Sequence, residues 1–152
     1  MLATPYSEPD IESTNLQATY VFKNICPTCH NGEMKWEVEF HKDFDPEFNA
    51  LPEEVRTELL AHARLLEQFG PQLGRPRVDT LKGSSHANMK ELRFDAADGA
   101  WRVAFAFDPK RSAVLLIAGD KSGGGEKRFY RQLIAKADKR FDEHLSRMKK
   151  EA

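Results

Sequence analysis

The sequence contains no run of about 18 apolar residues, the length that a helix needs to cross a bilayer. The beginning of the chain lacks a basic segment followed by an apolar one, so it does not predict a secretory signal. Only 2 cysteines occur among 152 residues, too few for the disulfide framework of a small secreted domain. We therefore expect a cytoplasmic protein without a membrane span.

The composition is that of one globular domain. Hydrophobic residues make up 40% of the chain and charged residues 31%, which fits neither a disordered nor a membrane protein. The net charge of −1 hides an asymmetry, because twelve Lys and Arg stand against six Asp and Glu from Lys110 onward. This excess suits a surface turned toward phosphates, and a solvated helix of mixed charge explains it equally well.

Residues 1–33 and 34–152 differ in character. The first segment is rich in Ser, Thr, Pro and Asn and has no sustained periodicity, so we interpret it as an N-terminal extension that is partly disordered. Met34 opens a periodic pattern and is interpreted as a natural start site. The folded domain is predicted at 34–152.

The first half of that domain predicts a strand and two helices. Trp36, Val38 and Phe40 alternate as in a strand with one apolar face. Asp45-Pro46 predicts a short helix, with Asp45 as its cap. A second helix is predicted from Leu51 to Gly70, and we expect the two to form a hairpin. The apolar stripe of the second helix consists of Val55, Leu59, Ala63, Leu66 and Phe69.

The second half predicts a sheet and a last helix. Turn signals at Asp98-Gly99 and Asp108–Arg111 join the predicted strands into an antiparallel meander. A flexible loop is predicted at Gly119–Gly125. The strands are Met89–Phe94, Trp101–Phe107 and Ala113–Ile117, with an edge strand or loop at Val78–Lys82. The stripe of the last helix is Phe129, Leu133, Ala137, Phe141, Leu145 and Met148. The predicted fold class is α+β, a small antiparallel sheet in β-α-α-β-β-β-α order, packed by a helical hairpin and a C-terminal helix.

Four sequence blocks in this order carry a family resemblance. They are Glu91–Arg93, Trp101–Phe105, Val114–Ile117 and Gly119–Gly123. From Met34 to about Leu145 the chain resembles toxins of the RelE/ParE superfamily, in the HigB-like, phage-Gp49-like branch. The resemblance implies a type II toxin that cleaves mRNA on the ribosome and has a cognate antitoxin as its partner. It implies no cofactor and no metal, because the attacking 2′-hydroxyl belongs to the RNA.

The resemblance also implies site residues. Arg102 matches the middle-strand arginine that stabilises transition-state charge, and Lys121 occupies the lysine position after the last strand. Arg93 is expected to clamp a phosphate or a base edge, or to tie the sheet to a carboxylate. Tyr130 is expected to stack on a base, to transfer a proton or simply to pack. The expected RNA-binding residues are Lys82, Lys90, Lys127 and Arg128.

Two positions depart from the RelE pattern. Glu91 stands where such enzymes tend to carry a lysine, and Ser122 stands where an arginine follows the glycine-lysine step. The HigB branch uses His, Asp or Tyr near the end of the last strand, which makes Asp120 and His86 candidate replacements. A histidine can act as a general acid or base, although a loop histidine is more often a bystander.

Other histidines and the cysteines are assigned no function. Cys26–His30 has the spacing of a haem attachment motif and of half a zinc site. Because no second Cys-x-x-Cys exists, we interpret the cysteines as a redox or incidental pair. His62 and His144 are expected to be solvated on helices.

Two alternative functions remain open. One is a ParE-like inhibitor of gyrase without chemistry, and the other is a catalytically weakened member kept for regulation or phage defence. The basic C-terminal region and Arg102 favour contact with RNA.

Overall fold

The computed structural model of the chain describes residues 36–151. The predicted extension at 1–33, the Met34 start and the Cys26–His30 motif lie outside the described residues. The described part confirms the α+β class and the predicted order of elements, with a short edge strand at Val78–Thr80.

Within residues 36–151, five strands form one sheet in the spatial order β1-β5-β4-β3-β2. The predicted meander is confirmed, because β3 pairs antiparallel with β4 and β4 with β5. The parallel pairing of β1 with β5 was not predicted. A parallel pair cannot be joined by a tight turn, and here most of the domain separates the two strands in sequence. The strands are β1 (Glu37–Phe40), β2 (Val78–Thr80), β3 (Lys90–Ala96), β4 (Gly99–Phe107) and β5 (Ser112–Asp120).

In the described part of the chain, three α-helices cover both faces of the sheet. Helices α1 (Phe44–Asn49) and α2 (Glu53–Phe69) pack against one face, hereafter the α2 face. Helix α3 (Glu126–Glu151) packs against the opposite α3 face, on β5 and β4. Within residues 36–151, none of the helices combines the length and the apolar character of a membrane span.

The α2 face carries the larger apolar cluster. Four of the five predicted stripe residues of α2 are buried against alternating residues of the sheet such as Leu92 and Phe105. The prediction for Phe69 was wrong, since its side chain is 44% exposed. The helix ends at this residue, and Gly70 has a φ of 56° and lies directly against the ring of Trp36.

The α3 face carries a smaller apolar cluster. Leu133, Ala137 and Phe141 of α3 pack on strand residues that include Ala104 and Leu116. Leu145 and Phe129 lie at its margin, half-buried. The expectation that His144 is solvated was wrong, because the residue is 6% exposed and its Nε2 lies 2.9 Å from Asp108 Oδ2. His62 is half-buried and stacks on Phe94.

Three local predictions need correction. Helix α1 begins at Phe44, so Asp45 lies inside its first turn, and the N-cap is Asp43. The tight turn between β3 and β4 is Ala97-Asp98, whose φ angles of 49° and 60° suit a two-residue hairpin. Gly119 does not belong to a loop, because β5 continues to Asp120.

Candidate active site

An open groove of about 980 Å³ runs between one edge of the sheet and α3. Its walls are β2, the following loop at 81–83, β3 and the first part of α3. Two predicted catalytic residues, Arg93 and Tyr130, line it, and so do two predicted RNA-binding residues, Lys82 and Lys127. The groove therefore brings together side chains from the β2–β3 edge of the sheet and from the basic C-terminal region.

A glycine in β5 allows α3 to approach the sheet at this end. Gly119 pairs with Arg102 of β4, and a Cβ added to Gly119 would lie 2.9 Å from Phe129 Cε1. Any larger residue would push the first turns of α3 outward. Because Phe129 rests on this glycine, the next residue, Tyr130, reaches across Arg102.

The hydroxyl group of Tyr130 joins an arginine to a carboxylate. Arg102 Nε donates to the Tyr130 oxygen at 3.2 Å, and the Tyr130 hydroxyl donates to Glu91 Oε1 at 2.9 Å. Arg102 Nη1 also donates to the Trp101 carbonyl at 2.9 Å. Strand alternation places Arg102 on the face opposite Val103 and Phe105. The face is not open, however, since α3 covers it and leaves Arg102 only 7% exposed.

Glu91 separates two arginines that would otherwise repel each other. Arg93 and Arg102 are direct cross-strand partners, an arrangement that is destabilising for like charges. Glu91 lies two residues before Arg93 on the same face, and its carboxylate oxygens are 3.8 Å from the Nε atoms of both arginines. The negative charge of Glu91, which is buried, offsets the positive charges of the two arginines.

Burial is the largest influence on the pKa values of Glu91 and Tyr130, the two groups that share the hydroxyl proton. Burial raises the pKa of Glu91, against the opposing effects of the Tyr130 hydrogen bond and of Arg102 and Arg93. Burial also raises the pKa of Tyr130, so the phenol is neutral at physiological pH. The site thus holds a carboxylate that accepts a proton more readily than an exposed one.

The acidic residues of the groove already have hydrogen-bond or ion-pair partners within the protein, whereas most of its basic residues form no ion pair. Asp79 accepts a hydrogen bond from Arg75, which holds the pKa of that carboxyl below its usual range. Asp138 accepts from Ser84 and Ser85. Glu126 lies 3.9 Å from Lys121. By contrast, in the described part of the chain no ion pair is formed by Lys82, Lys127 or Arg131. The groove therefore offers cations to a ligand.

His86 is not part of this cluster. Its Nε2 lies 2.8 Å from Asp142 Oδ1, and its ring packs edge-on against Phe141. Asp142 follows Tyr130 by twelve residues, which is about 18 Å along an α-helix. The loop histidine fixes the loop to the middle of α3, and its predicted catalytic role has no geometric support.

Three predicted cations also lie away from the groove. Lys90 lies two residues before Leu92 on β3, so both side chains are on the α2 face, opposite Glu91 and Arg93. Arg128 is exposed on α3 and does not line the groove. Lys121 reaches only the margin, through Glu126.

Asp120 serves the turn after β5. Its Oδ1 accepts hydrogen bonds from the backbone of Ala100 and Ser122 and from the Ser122 hydroxyl. These bonds, that of the Ser122 side chain first, lower the pKa of Asp120. A carboxylate so occupied has little capacity to accept a further proton.

Sequence reasoning missed two residues of the groove. Glu91 was noted only as a departure from the RelE pattern, although its position two residues before Arg93 already placed both on one face of a strand. Arg131 follows Tyr130 on α3 and lines the groove. Its only signal was the general excess of basic residues in this helix.

Among the residues that the structure describes, two groups of side chains outside the groove could hold a metal ion. They are Glu39, Asp108 and His144, and His41, Asp43 and Glu143. Both involve the C-terminal half of α3, far from Tyr130. Asp108 already accepts from the backbone of Lys110 and Ser112 through Oδ1, which explains its burial as part of the turn.

Comparisons with known proteins agree on one family. Residues 46–142 match the family model described as "Phage derived protein Gp49-like (DUF891)". Two proteins of Mycobacterium tuberculosis named as candidate toxins, HigB2 and HigB3, are each 44% identical to this chain over 99 residues. The matched region covers 64% of this chain and 49% of HigB2, and 65% of this chain and 84% of HigB3. The chain thus spans about half the length of HigB2.

One solved structure shows the same fold. A double arginine-to-alanine mutant of the Escherichia coli toxin RelE, in its free state, superposes with a TM-score of 0.50 at 12% sequence identity. The superposition covers 68% of this chain and 97% of that one. At this identity the likeness supports the fold and not the residues of the site.

Proposed function

The chain belongs to the phage-derived Gp49-like family, a HigB-like group within the RelE superfamily, and from this membership we propose that it is the toxin of a type II toxin–antitoxin module. As such a toxin it inhibits translation by cleaving mRNA on the ribosome. The proposed partners are mRNA, the ribosome and a cognate antitoxin.

One observation supports a nuclease over a purely binding protein. The Tyr130 hydroxyl lies between Arg102 and Glu91 in a groove whose free cations are Lys82, Lys127 and Arg131. Cleavage of RNA needs a group that takes the 2′-hydroxyl proton and cations that offset charge on phosphorus. An inhibitor that only binds its target needs neither a buried acid nor a shared proton.

The arginines have separate proposed roles. Arg93, which is half-buried in the groove wall, binds the phosphate that is cut or its neighbour. Arg102 holds the Tyr130 hydroxyl through Nε, and within residues 36–151 its Nη2 makes no hydrogen bond. That group remains to stabilise the charge of the transition state. Lys82, Lys127 and Arg131 bind the RNA backbone.

The test is a map of transcript ends in cells. The chain is induced with and without the protein encoded by the adjacent gene, and the 5′ ends of transcripts are sequenced. We expect cuts confined to translated regions, with a three-nucleotide periodicity, that disappear when the antitoxin is present. Growth arrest with intact mRNA and altered DNA supercoiling would instead favour the gyrase-inhibitor alternative and overturn the proposal.

A further inference from the structure

We propose that Glu91 is the proton acceptor of the cleavage reaction and that Tyr130 relays the proton to it. The inference rests on the proposed nuclease function and names the base within it. Glu91 replaces the lysine that the RelE pattern would place here, so the base is a property of this chain's own residues.

The positions of Glu91 and Tyr130 favour a relay over direct proton transfer. Glu91 lines the groove but is only 5% exposed, so its carboxylate offers little surface to an RNA hydroxyl group. Tyr130 is half-buried and lines the groove, and its hydroxyl already donates to Glu91 Oε1 at 2.9 Å. One lone pair of the phenol oxygen accepts from Arg102 Nε, which leaves the other for an incoming hydroxyl group.

Cleavage moves one proton from the RNA to Glu91 through Tyr130. The RNA 2′-hydroxyl gives its proton to the Tyr130 oxygen while the Tyr130 proton moves to Glu91 Oε1. The 2′-oxygen forms a bond to the adjacent phosphorus, and the bond from phosphorus to the 5′-oxygen breaks. The leaving oxygen keeps the electron pair and takes a proton from water. The products are a 2′,3′-cyclic phosphate and a 5′-hydroxyl, and Glu91 later returns its proton to water.

The charges around Glu91 suit this task. Arg93 on β3, Arg102 on β4, Asp79 on β2 and Tyr130 on α3 all face it. Burial outweighs the two arginines and raises the pKa of Glu91. A base acts when it is deprotonated, so the rate should rise with pH through the shifted pKa of Glu91, above the range of an exposed carboxyl. A base whose pKa lies closer to the working pH also accepts a proton more readily.

The experiment measures single-turnover cleavage of mRNA on programmed ribosomes as a function of pH. It uses the wild type, Glu91→Gln, Tyr130→Phe and the double variant. Glu91→Gln keeps the shape of the side chain and an acceptor for Tyr130, and thermal unfolding checks that each variant folds. The control is Glu54→Gln, the same change on the exposed side of α2.

We expect each single variant to lower the rate by a factor on the order of 10²–10⁴, as for the loss of a general base. Because the two residues act as a unit, the double variant should be no slower than the slower single one. The rising limb of the pH profile should vanish in Glu91→Gln and persist in Glu54→Gln.

Three outcomes decide the matter. An unchanged rate or an unchanged pH profile in Glu91→Gln would overturn the role of Glu91 while leaving the nuclease in place. Effects that multiply in the double variant would overturn the relay. A wild type that does not cleave at all would overturn the proposed function itself.

Discussion

The two faces of the sheet bury different kinds of side chain. On the α2 face, residues such as Leu59, Leu92 and Phe105 form a continuous apolar cluster. On the α3 face, the apolar cluster is smaller, and beside it lie the buried charged residues Glu91 and Arg102. The same strands supply both faces, because neighbouring residues point in opposite directions.

This difference separates stability from chemistry. A buried ion pair is a weak source of stability, because desolvation offsets most of its attraction. The domain nonetheless buries Glu91 and Arg102 under Tyr130, where a proton can be shared. We infer that the α2 face holds the domain together and that the N-terminal part of α3 holds the reacting groups.

Among the substitutions that compare the two faces, Arg102→Ala is expected to have the largest effect, which is on catalysis. The change removes the donor that orients the Tyr130 hydroxyl and the cation that we propose stabilises the transition state, so cleavage should fall on the order of 10²–10³. Arg102→Lys should recover only part of the rate, because an ammonium keeps the charge and loses the planar fork. Cleavage on programmed ribosomes measures both. A rate for Arg102→Ala equal to the wild type would contradict the assignment.

Leu59→Ala tests the opposite face. Leu59 is fully buried, and its truncation should reduce the free energy of unfolding by about 2–5 kcal/mol. The cleavage rate per folded molecule should not change, since the residue lies across the sheet from the groove. Denaturant unfolding and the same cleavage assay measure the two quantities. A loss of cleavage with normal stability would show that the α2 face also contributes to catalysis, against the separate roles of the two faces.

A smaller effect is expected at the far end of α3. His144→Phe keeps an aromatic ring and leaves Asp108 Oδ2 without its partner at 2.9 Å, which should cost about 1–3 kcal/mol of stability. Cleavage should be unaffected, because this end of the helix is structural. Lys149→Ala, an exposed change on the same helix, is the control and should stay within about 0.5 kcal/mol of the wild type.

The smallest effect concerns RNA affinity. Lys127→Ala should leave stability unchanged and make the salt dependence of binding to a single-stranded RNA oligonucleotide shallower by about 0.7 in log–log slope. Lys149→Ala, at the other end of α3, should leave the slope as it is. Equal slopes for Lys127→Ala and the wild type would show that Lys127 does not contact the RNA backbone.

Much of the fold could be predicted because it follows from local patterns. The alternation of Trp101 to Phe107 and the four-residue spacing of Leu133, Ala137 and Phe141 reflect burial on one side of an element. The parallel pairing of β1 with β5 could not be predicted in this way. It joins segments that are distant in sequence, and no turn between them records the pairing.

The site was harder to predict than the fold. Alternation is enough to place Arg102 on the face opposite Phe105, but it does not reveal what covers that face. The cover depends on the close approach of Phe129 to Gly119, which is a tertiary contact. The error in predicting Lys90 as an RNA-binding residue was avoidable. Lys90 lies two residues before Leu92, so strand alternation already assigned it to the α2 face.

Ribosome-dependent cleavage of mRNA can be tested with one preparation of the wild-type protein. The protein is added to mRNA-programmed ribosomes, and a gyrase supercoiling assay is run alongside. We predict cleavage in register with the reading frame, no cleavage of the same RNA without ribosomes, and no inhibition of gyrase. Intact mRNA together with blocked supercoiling would show that the protein inhibits gyrase and does not cleave mRNA.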